Sequence, residues 1–441
     1  MTYQESLNFI HSLDKFGSRP GLERIQRLFC LHENISGEDL LSQNFIHVAG
    51  TNGKGSVCTL LSSVLTACGY KTGLFISPYI VDFRERIQIN GKMISEQTLC
   101  KAIEYFKPKV EELNAEGIII TEFELLTAVA FYIFKQENCD VIVCEVGMGG
   151  LLDSTNLIKK PLCSVITKID FDHTAVLGDT IEEIAHQKCG IIKENSITVT
   201  ADQNDTVLSI IKNTAQEKHN KLYLSDDLVF DNIKQDLDGT AFVYNGESYI
   251  CPLLGLHQID NIKCALKTLT ALDENQILNI DKENIKAGFK SVVHPARFEL
   301  FKTTPRIILD GAHNKNGLSS FKESVNYYFN SDIQASKLSP SPENKRKTLI
   351  LSMLKDKDSD SVDMLLDMFE RIIITSIDNP RAMSPDELYQ KLKHKAKNIE
   401  IVQNPKDALY RALSYQDNVF ICGSLYLASQ IRPHIVEYMK K

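Results

Sequence analysis

The stretch IHVAGTNGKGS, residues 46–56, has the makings of a phosphate-binding loop. An apolar run leads into it and a helix-like pattern leaves it. Glycines let the backbone approach an anion, successive N–H groups and a helix N-terminus supply positive potential, and Lys54 adds a point charge. The strict P-loop pattern places Ser or Thr directly after the Lys. Here Gly55 intervenes and the hydroxyl arrives at Ser56. The residues alone leave two readings open: a phosphate site, or a glycine-rich turn between a strand and a helix.

Two further stretches carry groups with chemical potential. In CEVGMGGLLDSTN (144–156), Glu145 stands at the carboxyl end of an apolar strand pattern. Open α/β sheets bind ligands at that edge, and a carboxylate there can take Mg²⁺. It can equally be a strand-end Glu in solvent, and Asp153, Thr155 and Asn156 can be turn and cap residues. In TKIDFDHTAVLGDTIEEIAHQKCGIIK (167–193), His173 follows a strand pattern and Lys188 sits in a helical one. A lone His is commonly structural and a lone Lys commonly solvated. The two stretches gain weight together, because Glu145 and His173 each follow a strand of the sheet that also bears the glycine loop.

The elements that must position these groups alternate along the chain. Strand-length apolar runs occur at 45–49, 72–76, 140–146, 163–169 and 196–200, with helical patterns at 56–68, 96–115 and 122–137 between them. This alternation predicts an α/β fold: a P-loop-type, mostly parallel sheet covered on both faces. Residues 226–256 alternate with turn signals, as a small antiparallel insert does. A second series starts near 305, with strands at 306–310, 348–354, 371–376, 399–402 and 418–424 and a last helix from about Leu425. It predicts a smaller Rossmann-like domain. The expected division is 1–295 for the ATP-binding domain and 296–441 for the C-terminal domain, with 331–347 a surface loop.

Composition narrows the function classes. The 441 residues are 43% hydrophobic and 24% charged, with a net charge of -8. An acidic chain argues against nucleic acid or an anionic membrane as partner. No signal peptide and no 18-residue apolar run is visible, and the 11 Cys form no CxxC pair. Reduced core cysteines in a cytoplasmic protein are expected.

The motifs AGTNGKGS, ISPYIVDFRERIQING, EVGMGG with LDSTN, DH followed by LGDTIEEIAHQKCGIIK, GLHQIDN, HPARFE and LDGAHN occur in that order. Together with PGLERI (20–25), PRA (380–382) and GSLY (423–426), they resemble folylpolyglutamate synthase, often bifunctional with dihydrofolate synthase, of the Mur ligase superfamily. The resemblance covers nearly the whole chain. It implies that Gly50, Thr51, Asn52, Gly53, Lys54, Gly55 and Ser56 bind ATP phosphates despite the off-pattern Gly55. It places Ser77, Glu145, His173 and Lys188 at the Mg²⁺ site, with Lys188 a lysine carbamoylated by CO₂. Asn261, Arg297 and Asp310 match ATP contacts, and His313 lies where incoming glutamate binds. Thr121, Glu122, Phe123, Glu124, Leu152, Asp153 and Ser154 match contacts of the pterin-bearing substrate. Leu151, His294 and Tyr79 depart from the commonest family pattern, at positions that spare the ATP and metal residues.

The implied activity is an ATP-dependent amide ligase that joins L-glutamate to a folate, or to dihydropteroate, through an acyl phosphate. Lys54, Glu145, His173 and Lys188 would carry the catalysis. The expected partners are these small molecules alone, and the expected state is a monomer. Two other readings remain. TSIDNPRA (375–382) resembles a motif that grips the amino acid in a peptidoglycan Mur ligase, although the chain opens directly on the ATPase domain without room for a UDP-binding domain. A nucleotide-dependent switch that performs no ligation is the other.

Overall fold

A computed structural model describes residues 1–13, 21–30, 37–330, 346–355 and 359–440. The stretch 331–347, expected as a surface loop, falls almost wholly outside the described residues. The chain forms two compact units. The first comprises Met1–Tyr79, Phe83–Asp231 and Ile259–Val292, and the second Ile80–Asp82, Asn232–Gln258 and Val293–Lys441. Residues 232–258, placed in the first domain by the sequence, thus group with the second unit.

Eight strands build the first unit's sheet: β1 (Phe45–Ala49), β2 (Thr72–Phe75), β3 (Ile87–Ile89), β4 (Lys92–Met93), β5 (Val141–Glu145), β6 (Cys163–Ile166), β7 (Ile197–Thr200) and β8 (Lys221–Leu224). Their spatial order is β4-β3-β2-β5-β1-β6-β7-β8. β3 pairs antiparallel with β2 and with β4, and every other neighbouring pair is parallel. Every residue of β1, β2, β5, β6 and β7 is buried, so these segments have no solvent face to alternate with. β3, β4 and β8 are short or partly exposed and carry no such signal.

Two clusters fill the space around the sheet. One gathers Phe45, Phe75, Phe106, Phe131 and Phe134 with the helices Glu96–Ala115 and Glu122–Gln136. The other gathers Ala49, Val146, Ile166, Ile184 and Ile211. Each fully buried Phe or Ile contributes roughly 1.5–3 kcal/mol. Chain order matters most beside β1. The chain leaves β1 for β2 and β5 on one side, then crosses to β6 on the other. Loops after β1, β5 and β6 therefore diverge at one sheet edge and leave a crevice.

The second unit holds β9 (Asp231–Asp236), β10 (Gly239–Tyr244) and β11 (Glu247–Cys251) as a three-stranded sheet, with β10 and β11 antiparallel. Its larger sheet contains β12 (Glu299–Phe301), β13 (Ile307–Leu309), β14 (Lys347–Leu351), β15 (Arg371–Ile374), β16 (Ile399–Ile401) and β17 (Asn418–Cys422). Their order is β12-β13-β17-β14-β15-β16, parallel apart from β12. Among the described residues no helix is long and apolar enough to cross a membrane.

Candidate active site

The loop after β1 is built as a cradle. Gly50 and Gly53 take positive φ values of 148° and 87°. A Cβ at Gly50 would lie 1.9 Å from Thr167 Oγ1, and one at Gly53 would lie 2.2 Å from Asn261 Oδ1. Both glycines are therefore required by close approach as well as by backbone angle. The helix Lys54–Ala67 starts at once, with Gly53 as its N-cap and no side chain on the cap. The loop is braced from β6: Thr51 N donates to Lys168 O at 2.8 Å, and Thr51 Oγ1 donates to Asp170 O at 2.8 Å.

Two lysines converge on this loop. Lys54 Nζ donates to Gly50 O at 3.1 Å and to Thr51 O at 3.2 Å. Lys188 Nζ, on the helix Ile181–Cys189, donates to the same Gly50 O at 2.8 Å. Lys188 is buried, and burial together with the Lys54 charge lowers its pKa to about 7. The solvated-helix reading of Lys188 is thereby corrected: its helix turns it inward, beneath the glycine loop.

The loop after β5 packs onto the Lys188 helix. Leu151 N donates to Gln187 O at 2.7 Å, and Asn156 Nδ2 donates to Leu151 O at 2.9 Å. A Cβ on Gly150 would lie 2.8 Å from Gln187 O, so this contact demands glycine. Phe123 packs so closely on Gly147 that an added Cβ would lie 2.5 Å from its ring. Thr121 and Glu124 form the capping box of Glu122–Gln136, and Glu124 is also bound by Arg24 at 2.9 Å. Glu122 lies 3.9 Å from Arg86 and 3.5 Å from His11. Asp153 accepts from Met148 N at 2.9 Å and Thr155 N at 3.0 Å. Ser154 is buried, whereas Leu151 and Leu152 are exposed.

Glu145 is buried at the end of β5 and accepts from Ser77 N at 2.9 Å. This brings Ser77 and Glu145 together. His173 is exposed, has φ 49°, and lies 3.7 Å from Asp172. No group of three or more His, Cys, Asp or Glu capable of holding a metal occurs among the described residues. A hydroxyl residue beside one buried carboxylate still suits Mg²⁺, which commonly takes one or two carboxylates and completes its shell with water and phosphate oxygens.

In the second unit, Asp310 follows β13 and accepts from Phe298 N and Ala312 N, each at 2.6 Å. Burial raises its pKa, against the pull of Arg297 and these two N–H groups. Asp310 thus ties the HPARFE and LDGAHN segments together. His313 Nδ1 lies 2.8 Å from Gly311 O.

The Mur ligase middle domain matches residues 48–269, and the Mur ligase glutamate ligase domain matches residues 296–425. A dihydrofolate synthase/folylpolyglutamate synthase of Bacillus subtilis is 35% identical over 98% of this chain and 99% of its own. The chain belongs to the folylpolyglutamate and dihydrofolate synthase family of Mur ligases. Its class is that of the ATP-dependent ligases. A folylpolyglutamate synthase structure from Thermotoga maritima superposes with a TM-score of 0.85 at 33% identity, covering 98% of this chain and 96% of that one. One from Mycobacterium tuberculosis, complexed with ADP and AMPPCP, gives 0.84 at 28% identity and covers 98% of both.

Some residues that shape this synthase-type site escape a motif-based reading. Gln203 is buried just past β7; its Oε1 accepts from Ile169 N at 3.0 Å and its Nε2 donates to Thr167 O at 2.9 Å. It fixes the strand-end loop that braces Thr51. Its only sequence signal is a polar residue directly after a buried strand.

Proposed function

We propose that this chain adds L-glutamate to folates, and also to 7,8-dihydropteroate, at the expense of ATP. What carries the reading is the convergence of Lys54 and Lys188 on one carbonyl of the phosphate loop, with Glu145 and the 147–156 loop at the same sheet edge. The γ-phosphoryl group of ATP passes to the substrate carboxylate, giving an acyl phosphate and ADP. The glutamate amine then attacks the carbonyl carbon, phosphate leaves, and the amine proton is lost. Residues 50–56 and Asn261 would bind ATP, and residues 121–124 with 152–154 the pterin-bearing substrate. Ser77, Glu145 and His173 would hold Mg²⁺, which neutralises phosphate charge when bound. His313 would meet the incoming glutamate.

Lys188 is proposed as the carbamoylated lysine. An amine with a pKa of about 7 is substantially neutral at physiological pH, and only the neutral amine attacks CO₂. Its carbamate would also replace one of two adjacent cations by an anion. A cytoplasmic monomer is proposed as well; the 11 Cys are all free, as a reducing compartment leaves them.

The decisive experiment measures ADP release with folates, dihydropteroate and UDP-muramoyl peptides offered in parallel, each with and without glutamate. Release that requires both glutamate and a pteroyl substrate is expected. Release with the muramoyl peptide alone, or independent of any acceptor, overturns the reading.

Arg297 is expected to bind ATP phosphate. Losing a charge-assisted bond in Arg297→Ala should raise KM for ATP by roughly 10-fold or more. Arg297 is half-buried beside the buried Asp310, so the Tm of the nucleotide-free variant should fall as well, and KM is read on folded protein. An unchanged KM removes Arg297 from the ATP site.

A further inference from the structure

β1 carries one polar residue in an apolar run: His47 of FIHVA, fully buried. Its Nε2 lies 2.8 Å from Thr155 Oγ1, and Thr155 Oγ1 lies 2.5 Å from Asp153 Oδ1. Both Asp153 oxygens already accept backbone N–H groups, from Thr155 and Met148. The carboxylate is therefore the acceptor, and the Thr155 hydroxyl spends its single proton on it. The same hydroxyl can then only accept from His47. This determines the tautomer: Nε2 carries the proton and Nδ1 is bare. Nδ1 is buried without a hydrogen-bond partner among the described residues. Burial, and secondarily the Lys193 charge, hold the His47 pKa down to about 3, so the ring is neutral.

An orphaned buried acceptor is destabilising, and an apolar side chain at position 47 would avoid it. The imidazole instead contributes a directed N–H bond that leads, through one hydroxyl, to the carboxylate that shapes the loop after β5. We infer that His47 is a positioning residue for the acyl substrate: through Thr155 and Asp153 it ties the 147–156 loop to the strand that enters the phosphate loop. The inference rests on the proposed role of residues 152–154 in holding the pterin-bearing substrate. β1 is clamped between β5 and β6, so the loop is the softer partner and is what loosens when the chain of bonds is cut.

The test uses three full-length variants. His47→Phe removes the donor and the orphaned nitrogen while filling much of the space. Thr155→Val removes the hydroxyl at nearly constant volume, and Thr155→Ser keeps it. His47→Phe and Thr155→Val are expected to raise KM for dihydropteroate or folate by roughly 3- to 10-fold, the worth of one hydrogen bond, with KM for ATP unchanged. Thr155→Ser should stay close to the parent. A purely structural role would lower Tm and leave both KM values as they were, and that result overturns the inference. Should His47→Phe fail to fold, Thr155→Val decides. Parent protein that releases no ADP with any pteroyl substrate marks failure of the proposed function instead. A readout independent of turnover then remains. In ¹⁵N-histidine-labelled parent protein, the ring resonances absent from His47→Phe and shifted in Thr155→Val should report a protonated Nε2 and a bare Nδ1 at pH 7. A protonated Nδ1 overturns the bond chain.

Discussion

Lys54→Ala is expected to lower ligase turnover by roughly 10²–10³, the usual cost of removing one preorganised electrostatic contact to a reacting centre. The amine sits at the first turn of Lys54–Ala67, held over its own loop by the Gly50 and Thr51 carbonyls. On the proposed role of the loop, ATP phosphates would replace these carbonyls as partners of the amine. The fold should survive the change. Lys54 is half-exposed and buries no apolar core, and the loop's conformation is set by Gly50, Gly53 and the bonds from Thr51 to Lys168 and Asp170. Steady-state ADP release and a melting curve on the same preparation check this. A folded variant with parental turnover removes residues 50–56 from phosphate binding.

Lys188→Ala is expected to lose activity by about 100-fold or more, with partial rescue by short carboxylic acids that restore a negative group. The pH dependence has a definite sign. The Lys188 pKa is depressed to about 7, first by burial and then by Lys54. Above that value the amine is neutral and, on the proposed modification, would take up CO₂: the C–N bond would form and a proton be released. As pH falls through about 7 the amine protonates, cannot attack CO₂, and the carbamate is driven back to amine and CO₂. Activity should therefore fall on the acid side of neutrality, and more steeply in CO₂-depleted buffer. ¹³C NMR of protein incubated with ¹³C-bicarbonate should show one carbamate signal that Lys188→Ala lacks. Absence of that signal, with full activity in CO₂-free buffer, would rule the modification out.

The parallel sheet was legible because β1, β5 and β6 are buried on both faces and so are apolar along most of their length. The glycine-rich turn from strand to helix was legible as well, whereas its use for phosphate came only from the family resemblance. β3 and β4, only three and two residues long, were not, because so short a ladder has no period to detect. Nor was the grouping of residues 232–258 with the second unit, which depends on contacts distant in sequence.

The site divides along the same line. Sequence order alone placed Gly50–Ser56, Glu145 and Lys188 after or between elements that could present them, because each lies beside a pattern set by its near neighbours. Tertiary structure alone decided what those groups touch. Lys188 could be a solvated helix residue by its spacing, and only the docking of its helix on Gly150 and Leu151 turns it under Gly50. Thr121 and Glu124 are spent on a helix cap and Arg24, while the chain from His47 to Asp153 joins residues 106 positions apart. Local patterns encode burial and helix ends, since those depend on adjacent residues. Hydrogen-bond partners across strands depend on register and packing, which no single segment contains.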